Sequence, residues 1–279
     1  MGKMDSMQAY DACVEALADF ARNAGFSAVL LGLSGGLDSA VVAAMCADAF
    51  GSGNVHAYLL PGPYSTDHSI ADAQEEADIL GISSQVISIK EPYEAFSRVL
   101  AGPCGGTFDG MASQNTQARC RMVCLMALSN RYGWMLVNTG NKSEAMMGYS
   151  TLYGDTAGAF APLGGLYKTD VYAVARARNA RAAAEGGTPP IPQHVLTKPP
   201  SAELAPGQRD EVSLGIDYGT LDNILIGHYE TGLSAAELAE GSLSGIRSEM
   251  EIAAIIRRVD GNAFKRALEP PFPGAAFYG

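Results

Sequence analysis

The 279-residue sequence predicts an α/β protein, a doubly wound open parallel sheet with a helical C-terminal extension. Three observations carry that expectation. Short, continuous apolar runs at 27–33, 54–60, 85–89 and 134–138 read as strands buried on both faces. Stretches with apolar residues at helical spacing alternate with them, as parallel strands require of their crossovers. A turn rich in glycine and hydroxyl groups, Leu31-Gly32-Leu33-Ser34-Gly35-Gly36-Leu37-Asp38-Ser39-Ala40, joins the first run directly to a helix.

The elements follow in order. Residues 7–24 place Cys13, Leu17, Phe20 and Ala21 on one helical face, with Gly25 as the stop. Strand Ser27–Leu33 leads through the turn into helix Ser39–Phe50, which ends at Gly51. Strand Asn54–Leu60 runs into Pro61-Gly62-Pro63, and helix Thr66–Leu80 aligns Ile70, Ala73, Ala77 and Leu80 before Gly81. Strand Gln85–Ile89 and helix Tyr93–Leu100 precede a glycine-rich loop, Ala101–Gly110, expected to be mobile. In helix Ser113–Tyr132, the run Met122–Leu128 is apolar at every position, which predicts burial on all sides. A second copy of the chain would supply that burial, so a homodimer is expected. After strand Trp134–Asn138, the segment Gly148–Gly165 lacks periodicity and is expected to be a loop held by a ligand or partner. Helix Lys168–Arg178, a proline-punctuated stretch at 189–208, and helices Tyr218–Tyr229 and Ser248–Arg258 complete the chain. We read one domain over 1–279, with an α/β nucleotide-binding core at 1–185 and a connector plus helical region at 186–279. In such a sheet, binding falls outside the carboxyl ends of the strands.

Composition narrows the function. The net charge of −11 argues against nucleic acid, whose backbone needs clustered Lys and Arg. No apolar run approaches the ~18 residues of a membrane span, and the acidic N-terminal stretch does not read as a secretory signal. Five cysteines in no repeated spacing fit a reducing cytoplasm better than a disulfide framework. The four histidines show no paired spacing for zinc.

The turn itself is a candidate anion site. Backbone N–H groups at a helix start form a nest at the positive end of the helix dipole, which suits phosphate oxygens. The Walker pattern GxxxxGK[ST] is absent because no Lys precedes Ser39, and GxGxxG is absent because the glycines fall at 32, 35 and 36. What remains is Ser34-Gly35-Gly36-Leu37-Asp38-Ser39. Asp38 is either a helix-start acid stabilised by the dipole or a ligand for Mg²⁺ bridging to phosphate; the flanking hydroxyls favour the second.

The stretch at 34–39 resembles the pyrophosphate-binding loop of the ATP pyrophosphatases that activate a substrate as its adenylate. Further stretches narrow the resemblance: 64–69 (YSTDHS), 115–122 (NTQARCRM), 138–144 (NTGNKSE), 148–155 (GYSTLYGD), 162–168 (PLGGLYK) and 198–204 (KPPSAEL). In that order they resemble the NAD synthetases over about residues 26–229, and the wording is nearer to the synthetase half of the glutamine-dependent enzymes. The resemblance implies ATP-dependent amidation of deamido-NAD with ammonia, giving NAD, AMP and pyrophosphate. It implies a ligase of NAD biosynthesis with ATP as substrate and Mg²⁺ as cofactor. Rival readings are another adenylating synthetase, such as one making GMP, and a non-catalytic ATP-binding module.

By position in these stretches, the resemblance assigns Ser34, Gly35, Gly36 and Ser39 to pyrophosphate, and Asp38 and Glu144 to Mg²⁺. It assigns Thr139 to ATP, Lys168 to a phosphate, Arg119 and Asp155 to deamido-NAD, and Ser201 to the nucleotide site with Lys198 nearby. Lys265 and Arg266 resemble a basic pair that closes over substrate, a weaker match because Ala267-Leu268-Glu269 follows where relatives often carry a glutamine. Asp38, Asp155 and Lys168 are thus the expected catalytic groups, Asp155 as acceptor of the proton that ammonium must lose. Only 33 residues precede Ser34, fewer than the ~50 of a small domain. The expected nitrogen source is therefore free ammonia, or ammonia delivered by a separate glutaminase subunit or by a part of the protein outside this sequence.

Overall fold

The computed structural model describes residues 2–278. Four parallel strands, β1 (Val29–Gly32), β2 (Val55–Leu59), β3 (Ser83–Val86) and β4 (Met135–Leu136), lie in the order β3-β2-β1-β4. Val29 sits opposite Val55 on one side and Met135 on the other, and His56 opposite Ser83. The four expected strands are all present. β3 begins two residues earlier than its apolar run, because an edge strand takes its register from β2; Ile87 and Ile89 continue the ladder by donating to Leu59 and Pro61.

Alternation along each strand sends side chains to two cores. Val29 and Leu31 face the helices α1 (Ser6–Ala24), α2 (Leu37–Phe50), α3 (Asp67–Leu80) and α7 (Lys168–Ala184). Leu30 faces the other way, toward Tyr93 of α4 (Lys90–Ala101) and Cys120 and Leu125 of α5 (Gly110–Tyr132). The glycines expected to stop α1 and α3 do so in the left-handed region, Gly25 at φ +79° and Gly81 at φ +65°.

A third core joins Met146 and Met147 of α6 (Lys142–Met147) and Tyr167 to the C-terminal helices, among them α10 (Tyr218–Leu225) and α12 (Glu249–Gly261). Short helices that the sequence pattern does not reveal complete this region: α8 (Gln193–Thr197), α9 (Asp210–Leu214), α11 (Ala235–Glu240) and α13 (Ala263–Arg266). The segment 148–165 is irregular as expected, but the chain itself tethers it. Phe160 bridges Val137 as a parallel neighbour, and Asn138 Nδ2 donates to the Asp155 and Ala157 carbonyls.

Within one chain, the expected all-round burial of Met122–Leu128 is not met. Leu125 is buried, whereas Val123 is 67% and Met126 38% exposed.

Glu76 of α3 is fully buried, and neither carboxylate oxygen has a hydrogen-bond partner. Burial holds its pKa well above the ordinary carboxylate range. The folded chain therefore keeps a proton that the unfolded chain releases above about pH 4.3. The difference lowers stability as pH rises through the interval between the two pKa values. Glu76→Gln is expected to raise the melting temperature at pH 8 and to leave it nearly unchanged at pH 4, each ~1 kcal/mol regained appearing as about 2–4 °C. Equal melting curves at pH 8 would contradict this account of Glu76.

Candidate active site

The sheet order places a topological switch point between β1 and β4. From β1 the chain winds outward to β2 and β3, then returns to β4 on the other side, so the loops after β1 and β4 part there and open a crevice. The loop after β1 is Ser34–Ser39. Its hydroxyls knit it together: Ser34 Oγ lies 3.0 Å from Ser39 Oγ and accepts from Gly36 N, while Ser39 Oγ donates to the Gly36 carbonyl. Gly35 adopts φ +76° and packs so closely on α3 that a Cβ there would lie 2.1 Å from the Ser69 carbonyl oxygen. No side chain caps α2 at Gly36, so the positive end of its dipole faces the crevice.

The loop after β4 supplies the opposing groups. Asn141 caps α6 by accepting from Glu144 N, and its Nδ2 donates to Asp38 at 2.9 Å. Glu144 stands in the first turn of α6 and Asp38 in the first turn of α2. Lys168, the first residue of α7, joins them: its Nζ donates to Asp38 and, at 3.3 Å, to Glu144. Only 2% of Lys168 is exposed, so it is not a solvated helix-start lysine.

Burial alone would lower the Lys168 pKa, but the Asp38 and Glu144 carboxylates hold it above its ordinary value. Burial pushes Glu144 up to about 7; Lys168 pulls it down and Asp38 adds to the rise. Tyr218 of α10 donates its hydroxyl to Glu144 at 3.3 Å and sets its ring 5.3 Å from Lys168 Nζ. Asp210 of α9, buried and accepting from Tyr149 Oη and Ala202 N, adds a third carboxylate whose charge is felt by both Lys168 and Glu144.

The structure thus brings Ser34, Gly35, Gly36, Asp38, Ser39, Glu144 and Lys168 together. A second group surrounds the segment 148–155. Lys265 of α13 donates to the Gly148 and Ser150 carbonyls, and Arg119 of α5 donates to Leu152. Asp155 accepts from Thr151 N at 2.6 Å; desolvation raises its pKa, with that hydrogen bond and Lys265 opposing the rise. Thr139 lies in the turn between Asn138 and Asn141, half-buried. Ser201 is engaged within the connector, donating to the Gln208 carbonyl and accepting from Glu203 N.

Sequence reasoning assigned no role to Asn141, although it lies inside the stretch 138–144. It also missed Tyr218, whose ring lies near Lys168, and Asp210, whose charge acts on Lys168 from a separate helix; neither carries a local pattern. Arg121, two residues beyond Arg119, takes a different partner: its Nε donates to the Leu60 carbonyl, and the charges of Glu203 and Asp155 bear on its guanidinium, whose pKa burial lowers. A cavity of about 480 Å³ lined by Glu75, Arg176, Asn179 and Gln193 lies away from these groups, Arg176 being about 12 Å along α7 from Lys168.

Sheet order, switch point and glycine loop define the class: an α/β protein of the adenine-nucleotide α-hydrolase type. The model of the NAD synthase family matches residues 9–269, and the chain belongs to that family, a family of ligases. A glutamine-dependent NAD⁺ synthetase of Thermotoga maritima is 40% identical over 257 residues, covering 92% of this chain and 43% of that protein. Among solved structures, an NMN synthetase from Francisella tularensis superimposes with a TM-score of 0.74 at 29% identity, covering 94% of this chain and 96% of the other. An NH3-dependent NAD synthetase from Campylobacter jejuni does so with a TM-score of 0.71 at 28% identity and the same coverages. The chain spans a little under half the length of curated relatives such as the Thermotoga protein.

Proposed function

We propose that the chain amidates deamido-NAD, using ATP and ammonia and releasing AMP and pyrophosphate. The carboxylate oxygen attacks the α-phosphorus of ATP and expels pyrophosphate. Ammonia then attacks the acyl carbon, AMP leaves, and a base takes the surplus proton. The enzyme's task is to align two anions and to balance the charge that builds up. The observation that carries this reading is the convergence of Lys168, Asp38 and Glu144 beside the Ser34–Ser39 loop, in a chain whose residues 9–269 match the NAD synthase family.

In this reading Ser34, Gly35, Gly36 and Ser39 cradle the pyrophosphate with their amides and hydroxyls, and Lys168 balances phosphate charge. Thr139 and Ser201 line the nucleotide. Arg119, Asp155 and Lys265 hold deamido-NAD, with Asp155 as the proton acceptor. The donor set fits Mg²⁺: two carboxylates reach the same Lys168 Nζ and so converge on one point, and Mg²⁺ takes one or two such oxygens with the rest from phosphate and water. When bound between Asp38 and Glu144, the ion would supply Lewis-acid neutralisation of phosphate oxygens. Nitrogen enters as ammonia, free or delivered by a glutaminase; the Campylobacter relative is NH3-dependent and the Thermotoga relative glutamine-dependent. No described helix is long and apolar enough to cross a membrane, and a cytoplasmic setting suits these substrates.

The test is to incubate the chain with MgATP and ammonium plus one acid acceptor at a time: deamido-NAD, nicotinate mononucleotide or xanthylate. AMP and amide should form with deamido-NAD, and ammonium should replace glutamine in a single turnover. AMP formation with xanthylate alone, or nucleotide binding without any turnover, would reject the reading. The Francisella relative favours a second one, in which the mononucleotide is the acceptor.

A homodimer belongs to the proposal. Phe96 and Val99 of α4 and Val123 and Met126 of α5 are exposed apolar side chains that a second copy would cover. The double substitution Val123→Glu with Met126→Glu is expected to halve the mass seen by light scattering. An unchanged mass, dimeric or monomeric, would remove this face from the assembly.

A further inference from the structure

The connector stretch 198–204 makes contacts that its expected role in lining the nucleotide site does not explain. Glu203 holds φ +49°, a left-handed conformation that is strained for a non-glycine residue and persists only where its surroundings enforce it. The enforcing contacts are visible. Glu203 Oε1 accepts from Thr66 Oγ1 at 2.9 Å and from Ser69 Oγ at 2.8 Å, and Oε2 accepts from Thr66 N at 3.2 Å.

Thr66 is the N-cap of α3 and Ser69 closes its first turn. The carboxylate therefore sits at the positive end of the α3 dipole. Neighbouring bonds tie the connector to α3 and to α5. Lys198 Nζ donates to Asp72 of α3 at 2.7 Å, and Gln117 Nε2 of α5 donates to the Leu204 carbonyl at 3.0 Å.

The other side of that α3 turn touches the loop. Gly35 lies against the Ser69 backbone so closely that there is no room for a Cβ. Ser69 is thus held between the carboxylate of Glu203 and the backbone of Gly35. A displaced Ser69 would move or free Gly35, because contacts this close transmit small shifts.

We propose that Glu203 is a positioning residue of the nucleotide site: by clasping Thr66 and Ser69 it braces the α3 turn behind Gly35, so that connector and loop are held as one unit. It touches no reacting atom; it acts through Ser69. The functional side of this inference rests on the proposed binding of ATP at Ser34–Ser39, whereas the mechanical side does not.

Two measurements on the full chain separate them. Hydrogen–deuterium exchange without nucleotide reads the brace. In Glu203→Ala, amides of the peptide spanning 31–40 should exchange about tenfold faster or more, along with the first turn of α3, while β4 and α7 stay unchanged. Faster exchange in α3 alone, with the loop unaffected, would overturn the proposal. Kinetics reads the consequence: the KM for ATP should rise about tenfold, with kcat and the KM for deamido-NAD within about twofold.

Glu203→Gln is the second variant. Its one carbonyl oxygen can still accept from both hydroxyls, while its amide nitrogen faces the Thr66 N–H, so it should fall between wild type and Glu203→Ala. A uniform loss of kcat and of both KM values in the two variants, with a lower melting temperature, would mean general destabilisation and end the proposal. If wild type proves inactive on deamido-NAD, the reaction assigned above fails, and the exchange result still decides the brace.

Discussion

If Lys168 balances phosphate charge as proposed, Lys168→Met is expected to lower the rate of AMP and pyrophosphate release by about 10²–10³-fold, the usual cost of losing one preorganised charge at a reacting centre. The same change removes the ammonium between Asp38 and Glu144, whose side chains are only 18% and 20% exposed. Breaking such a pair from one side costs about 3–5 kcal/mol, because two carboxylates are left facing each other without a counter-charge.

The loss should depend on pH. Burial and Asp38 already raise Glu144, and Lys168 is the neighbouring charge that lowers it, so removing Lys168 lets the carboxyl rise further. A raised acid is stabilising while both states are protonated and loses that advantage as pH climbs toward its folded pKa. The variant should therefore melt closest to wild type near pH 5 and furthest from it near pH 8. Thermal melts at the two pH values check this. The same deficit at both would mean that the charge of Lys168 is not what holds the carboxylates.

Gly35→Ala is expected to cost about 10²-fold in ATP affinity, the scale of a ~1 Å misplacement in a preorganised site. Two independent constraints meet there: φ of +76°, and a Cβ position 2.1 Å from the Ser69 carbonyl oxygen and 2.9 Å from its carbon. Neither neighbour is a flexible side-chain tip, so the loop backbone itself must shift. Gly36→Ala is the informative control. Its Cβ would meet only Ser34 Oγ, at 3.2 Å, with φ at −87°, and the loss should be several times smaller. Isothermal titration with a non-hydrolysable ATP analogue measures both, and equal affinities for the two variants would contradict the packing argument.

What could be read in advance was local. The loop at 34–39, the strand before it and the helix after it are neighbours along the chain, so turn chemistry, apolar run and periodicity lie in one window. Gly25 and Gly81 mark helix ends because left-handed φ is nearly free only for glycine. The helices α6, α8, α9, α11 and α13 escaped notice because four to six residues are too few to display a period. The run at 122–128 promised uniform burial, yet a single chain buries only part of it, since apolar content does not say what will cover a face.

The sequence by itself determined the parallel α/β architecture and singled out the glycine turn at 34–39 together with the motif residues Asp38, Glu144 and Lys168. Only the tertiary structure decided that Lys168 is buried between the two acids, that Tyr218 and Asp210 join them, and that Glu203 reaches α3 behind Gly35. The reason is physical: turns and periods are set by neighbours within a few residues, whereas burial, desolvation and the meeting of charges depend on segments that only the packed chain brings within hydrogen-bond distance.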